Sequence, residues 1–225
     1  MSGKKAIDEL KSGLSASKAG DREEAIGAFC RRLMIEGEVD VPQDAIGAIV
    51  NTLAEDKSSA VQLAAADFLA WTAEWTHTEM TDEQLKACCS LLEDKKRAKC
   101  HSLLARTIGY IPTDNVRKTR IKVLRALLEN SKDEETRGQA IEALGRLKAT
   151  NARQDLLDTL EDKSEAIRHR TVIAFGLMGE RRGIEAQLIN HLGIEKSPEV
   201  RAAVIHSLTM MGSRKVRATL VKLIG

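Results

Sequence analysis

The residues best suited to chemistry cluster in one short stretch. Cys88 and Cys89 precede a turn at Asp94–Arg97, and Cys100 and His101 follow it. Thiolates and an imidazole brought together across a helical hairpin have the donor types of a zinc site. Helix geometry argues against one, because at 3.6 residues per turn adjacent cysteines diverge by about 100 degrees and cannot easily reach a single ion. Cys100 also falls on an apolar stripe, where a free cysteine packs as a small hydrophobe. The remaining histidines, His77, His169, His191 and His206, share no ligand spacing. The sequence has no HExxH, GxSxG or GxxxxGK[ST], and the glycines of GLMGERRG at 176–183 are spaced for a helix stop rather than a phosphate loop. The expectation is therefore no catalytic residue, no metal and no cofactor.

A second chemistry is phosphate neutralisation. RKTRIKVLR at 117–125 places Arg117, Lys118, Arg120, Lys122 and Arg125 on one helix, and such a stripe releases counterions from nucleic acid. The global balance does not demand an anionic partner, since 35 basic residues face 33 acidic ones for a net charge of +2. The halves differ: residues 1–112 carry 14 Lys/Arg against 18 Asp/Glu, and residues 113–225 carry 21 against 15. Base stacking wants aromatic platforms, yet the single Tyr and both Trp lie in the more acidic half. A charge run interleaved with acids is more often a solvated helix face.

The elements that would position these residues are helices. Three Pro and 3% aromatics disfavour a β-sandwich, while 43% hydrophobic and 30% charged residues describe a chain that folds. Internal repeats emerge from LENSKDEETRGQAIEALGRL at 128–147, LEDKSEAIRHRTVIAFGLMG at 160–179 and IEKSPEVRAAVIHSLTMMG at 194–212, aligned on Arg137, Arg168 and Arg201. From each Arg, the residue before it and those three, four and seven after it are mostly apolar, which makes one helical stripe. His101 and Gln62 occupy the anchor position in two earlier copies, and DREEAIGAFC near Arg22 is a degenerate one. The second helix of each unit lies between anchors, as at 113–129 and 149–162. Thr81, Asp114, Ser164 and Ser213 are suited to N-caps, Pro42 and Pro198 to first turns, and Gly179 and Gly212 to helix ends.

LEDKSEAIRHRTVIAFGLMG resembles a HEAT repeat of the bacterial type also found in phycobilisome lyases, with an acid six residues before the Arg, then A/V-x3-L/F-G, then Gly. Asp162–Arg168 matches this pattern fully and Glu195–Arg201 conservatively; Asp56–Gln62 keeps the acid and Ser131–Arg137 the Arg. The resemblance implies that acid and Arg form a ladder between stacked units, a structural role. It also implies an all-α fold, a right-handed α-α superhelix of about six helix pairs, because a repeat pair buries its apolar face only by stacking. The whole of 1–225 is expected as one domain, with 1–55 a less regular N-terminal cap and 56–225 the clearer repeats.

In such superhelices the Arg-bearing helices form the concave wall, and positions two, five and nine after the anchor face into it. They include Asp67, Trp71, Leu103, Arg106, Tyr110, Gln139, Glu142, Arg146, Arg170, Ile173, Leu177, His206 and Met210. Aromatics, Arg and aliphatics together compose the hot spots of protein interfaces. A one-residue shift in helix phase would place half of them in the inter-repeat core instead. Trp71 and Trp75 are one turn apart, so one is expected buried and the other available.

The best candidates for partner contact are Asp67, Trp71, Arg106, Tyr110, Glu142, Arg146, Arg170, Ile173 and His206. The leading function is a non-enzymatic scaffold or adaptor holding a protein or peptide segment, with small molecules and membranes not expected. The second reading is a nucleic-acid binder resembling the HEAT-like DNA glycosylases that remove alkylated bases, with Arg117, Lys118, Arg120, Lys122 and Arg125 as contacts; no motif of those enzymes is present to carry over. HEAT-repeat iron hydroxylases use His-Glu dipeptide ligands, and the chain has none. No apolar run approaches a membrane span and the start lacks the apolar core of a signal peptide, so the expected location is cytoplasmic, with reduced thiols at Cys30, Cys88, Cys89 and Cys100.

Overall fold

The computed structural model describes residues 2–37, 40–76, 78–179, 183–216 and 221. They form twelve α-helices joined by short turns, with no strand among the described residues. The fold is the all-α repeat expected from the periodicity. Residues cluster into two compact units, Met1–Val123 and Leu124–Gly225.

The first unit holds α1 (Ser2–Leu14), α2 (Ala19–Glu36), α3 (Gln43–Glu55), α4 (Ser59–Trp75), α5 (Asp82–Glu93), a 3-10 segment at Lys95–Cys100, and α6 (His101–Tyr110); α7 (Arg117–Asn130) runs over the boundary. Within this unit α4 packs on both α2 and α6, and α3 packs on both α1 and α5. These are two layers, one made of the anchor-bearing helices. Residues up to 55 contribute α1, α2 and α3. The second unit holds α8 (Glu134–Arg146), α9 (Arg153–Asp158) flanked by 3-10 turns at Thr150–Ala152 and Thr159–Glu161, α10 (Glu165–Met178), α11 (Glu185–Ile194) and α12 (Pro198–Met210). Here α10 packs between α8 and α12.

The phase of four anchor helices is set at their start. Ser58, Asp133, Ser164 and Ser197 are N-caps whose side chains accept the backbone N–H of Val61, Thr136, Ile167 and Val200 respectively. Each cap lies four residues before the anchor, so the first stripe residue is the capped one, and it is buried in every case. A cap of this kind contributes about 1 kcal/mol. The stripes then form the cores: Val61, Ala65, Ala66 and Leu69 with Cys100, Leu104, Ala105 and Ile108 in the first unit, and Ala140, Ile141, Leu144, Val172, Phe175, Val204 and Leu208 in the second. Ile205 departs from the pattern and is only half-buried.

The L/F-G step of the repeat has a packing cause. A Cβ on Gly145 would sit 2.6 Å from the Ala174 Cα, and one on Gly176 would sit 2.8 Å from the Ser207 Oγ. Glycine here lets successive anchor helices approach backbone to backbone. Gly179 ends α10 with φ +66, the left-handed cap expected of it.

Three details differ from expectation. The helix anticipated over 149–162 is broken into 3-10, α and 3-10 turns, with the Thr159 hydroxyl donating to the Leu156 carbonyl and bonding the Thr171 hydroxyl at 2.7 Å. Side-chain bonding of this sort competes with the regular helical ladder. Helix α7 begins at Arg117, three residues past Asp114. Pro42 stands at the N-cap of α3, one residue before its first turn.

Candidate interaction face of the anchor helices

The anchors do two things. The first is local: the Arg22 Nη1 donates to the Ala16 carbonyl at 2.9 Å, the Gln62 Nε2 to the Asp56 carbonyl at 2.6 Å, and the Arg168 Nη1 to the Asp162 carbonyl at 2.9 Å. Each reaches back six residues to tie down the turn that precedes its helix. His101 does the same from one residue further, with its Nε2 3.1 Å from the Asp94 carbonyl. The second is the ladder. Arg22 grips Asp56 (Nε–Oδ2 2.6 Å, Nη2–Oδ1 3.0 Å), Arg137 pairs with Asp162, and Arg168 grips Glu195 (Nε–Oε2 2.8 Å, Nη2–Oε1 3.0 Å). Each Arg therefore holds the acid of the following repeat.

The ladder carboxylates are held ionised. The hydrogen bonds from Arg168, opposed by burial, bring Glu195 down to about 2, helped by the backbone N–H groups of Ser197 and Lys196. The Arg22 hydrogen bonds lower Asp56. Burial pushes Asp162 up, but the Ser164 N–H and Arg137 outweigh it and the net shift is downward. Charges spent this way are structural and commit Arg22, Arg137 and Arg168 to the ladder.

Outside the ladder, the outward positions of the anchor helices are surface in both units, not core. In the first unit Asp67 is exposed, Trp71, Leu103, Arg106 and Tyr110 are half-buried, and Trp75 is 67% exposed. Glu74, not singled out by the sequence, joins two of the expected residues: it pairs with Arg106 and accepts the Tyr110 hydroxyl at 2.8 Å. The result is a braced platform across α4 and α6, with one indole standing off it.

In the second unit Glu142, Arg146, Arg170 and Ile173 are half-buried and His206 is exposed. Three of them form a relay of charge across α8 and α10: Arg146 lies 3.7 Å from Glu142, Glu142 lies 3.5 Å from Arg170, and Arg170 donates to both oxygens of Glu135 at 2.7 and 3.3 Å. Arg170 runs directly over Gly138, where a Cβ would lie 2.6 Å from its Cδ. Neither Gly138 nor Glu135 was identifiable as part of this face, because the pairing links positions 35 residues apart.

The basic helix is not one surface. Arg120 is 0% exposed, and its guanidinium donates to the carbonyls of Ile108 (2.9 Å), Ile111 (2.8 Å) and Thr113 (2.6 Å) where α6 ends. Burial brings its pKa down to about 10. This corrects its reading as a phosphate contact: it caps the exposed carbonyls of a helix terminus. Arg125 is paired with Asp155, and Arg117 lies 3.7 Å from Asp114. Lys118 and Lys122 are exposed. The basic stretch at 180–182, together with His77 and Arg217, lies outside the described residues.

The cysteine cluster is core. Cys88, Cys89 and Cys100 are buried, and burial pushes the Cys88 thiol up to about 12 and the Cys89 thiol to about 11. Among the described residues no three His, Cys, Asp or Glu side chains are grouped to hold a metal ion. No helix among them is long and apolar enough to cross a membrane.

The first unit also carries an open groove of about 850 Å³ on the layer opposite the anchor helices, floored by Gly47, Ala48, Asn51 and Thr52 of α3. Of its lining charges, Lys11 is paired with Asp44 at 3.0 Å and Arg22 with Asp56, while Glu55 is exposed. Only the small side chains at 47 and 48 hint at it in the sequence.

Comparison with known proteins bears on the fold. HEAT repeats match residues 121–186 and 154–225. An engineered protein solved by crystallography is 19% identical and superimposes with a TM-score of 0.62 over 92% of this chain and 96% of its own. A designed armadillo repeat protein in complex with the peptide (KR)4 is 16% identical, with a TM-score of 0.61 over 94% of this chain and 100% of its own. At these identities the likeness establishes a helical-repeat solenoid fold. No curated protein matches the chain.

Proposed function

We propose that this chain, whose residues 121–186 and 154–225 match HEAT repeats, is a binding scaffold that holds a segment of a partner protein on its anchor helices. The observation that carries this reading is the platform of the first unit, where Trp75 is 67% exposed beside half-buried Trp71 and a Tyr110 locked by Glu74. A large exposed aromatic on a rigid helix is costly to leave in water and is the usual core of an interaction hot spot. Bracing by Glu74 and Arg106 lowers the side-chain ordering that binding would otherwise require. The charge relay of Glu135, Arg170, Glu142 and Arg146 presents a second, polar face in the other unit. A designed armadillo repeat protein of similar fold is in complex with the peptide (KR)4, so a helical-repeat solenoid can hold a peptide.

The experiment is affinity capture from nuclease-treated lysate at low and moderate salt, with wild type beside Trp75→Ala and Arg170→Ala. The reading expects a protein retained at both salts and reduced by at least one variant. Retention that vanishes with nuclease and at moderate salt would replace it with nucleic-acid binding, whose affinity falls steeply with salt.

A further inference from the structure

We infer that the α4 surface at Asp67, Trp71 and Trp75 is a cation subsite that takes a lysine or arginine side chain of the partner segment. The inference rests on the scaffold reading above and specifies the chemistry of its occupant.

The two acids of α4 are in opposite states. Glu74 is satisfied on both oxygens, by Arg106 and by the Tyr110 hydroxyl. Asp67 is exposed and has no hydrogen-bond or ion-pair partner among the described residues. Helix α6 carries no carboxylate and its one Arg is committed to Glu74, so the α4–α6 surface keeps one uncompensated negative charge, at Asp67. That charge is felt locally: the Cys30 thiol on α2 is pushed up, first by burial and then by Asp67.

The sequence places aromatic faces next to that charge. Leu63, Asp67, Trp71 and Trp75 recur every four residues, so they lie along one side of α4, each one turn from the next. Leu63 and Trp75 at the two ends are 42% and 67% exposed. An indole attracts a cation to its face, and an adjacent carboxylate adds direct charge pairing. An ammonium or guanidinium on an aliphatic stem matches both, with the stem on the Trp71 indole one turn away and the head at the carboxylate. A neutral apolar segment would leave Asp67 desolvated and unpaired, and an acidic one would be repelled.

The test uses the full chain and its own reporters, because Trp71 and Trp75 are its only two tryptophans. Tryptophan emission is titrated with an octapeptide of alternating lysine and arginine and, separately, with one of alternating glutamate and aspartate. The expected result is a saturable change with the basic peptide alone, weakened about fivefold or more by Asp67→Asn and by Trp75→Phe, with unfolding temperatures unchanged because both residues are exposed. No saturable change with the basic peptide, equal binding of the acidic peptide, or binding indifferent to Asp67→Asn would each overturn the cation subsite. If a captured partner is still lost on Trp75→Ala in that case, the scaffold reading survives and only its proposed occupant is wrong.

Discussion

Arg168 chelates Glu195 through two nitrogens at 2.8 and 3.0 Å, across the boundary between one repeat and the next. The same carboxylate lies 3.0 Å from the His191 Nε2 and accepts the backbone N–H groups of Lys196 and Ser197. A single acid thus joins two helices and organises the turn between them. Its folded pKa of about 2 lies below the ordinary 4.5, so its stabilisation is complete above pH 5 and is lost as pH falls through the range from 5 to 2. Chemical denaturation at pH 7 and pH 3 should show wild type losing more stability on acidification than Glu195→Gln. Equal losses would mean the ladder carries no acid-sensitive stability.

The close approach of anchor helices predicts opposite outcomes for two alanine substitutions. Gly145→Ala places a methyl 2.6 Å from the Ala174 Cα, a backbone atom that cannot swing aside. Overpacking of this kind costs about 1–3 kcal/mol. Gly20→Ala, in a helix and with nothing within 4 Å, should be neutral or stabilising by up to about 1 kcal/mol through helix propensity. Thermal unfolding of the two variants checks both signs.

Arg120 marks where the sequence was opaque. In RKTRIKVLR it is indistinguishable from its basic neighbours, because what buries it is a set of carbonyls at 108, 111 and 113 that only the turn between α6 and α7 brings within reach. Arg120→Ala should destabilise by about 3 kcal/mol, the cost of orphaning buried polar groups, while Lys118→Ala and Lys122→Ala stay within about 0.5 kcal/mol as exposed changes. Similar losses for all three would return Arg120 to the surface. The apolar stripes, by contrast, were legible because a 3.6-residue period maps directly onto burial: Val61, Cys100, Ile141, Ile167 and Val204 all fall in the core where the period puts them. The outward row was legible as a row for the same reason. Its wiring was not, since Glu74 meets Tyr110 across 36 residues and Arg170 meets Glu135 across 35.

The thiols should be graded by burial. Cys88, Cys89 and Cys100 are enclosed, with the first two raised to about 12 and about 11, while Cys30 is half-buried. The thiolate is the reactive form, so a thiol reagent at pH 8 should modify Cys30 first and the other three only after unfolding. Rapid native modification of two or more cysteines would show that the α5–α6 hairpin opens.

The most direct measurement is the affinity of a captured partner for three forms of the chain: wild type, Trp75→Ala on the anchor-helix face, and Asn51→Arg in the α3 groove on the opposite layer of the first unit. If the segment is held on the anchor helices, Trp75→Ala weakens binding by about tenfold or more, as truncation of a hot-spot aromatic does, and Asn51→Arg leaves it within about twofold. The reverse pattern, with binding lost on Asn51→Arg and kept on Trp75→Ala, would contradict the account and move the site to the groove.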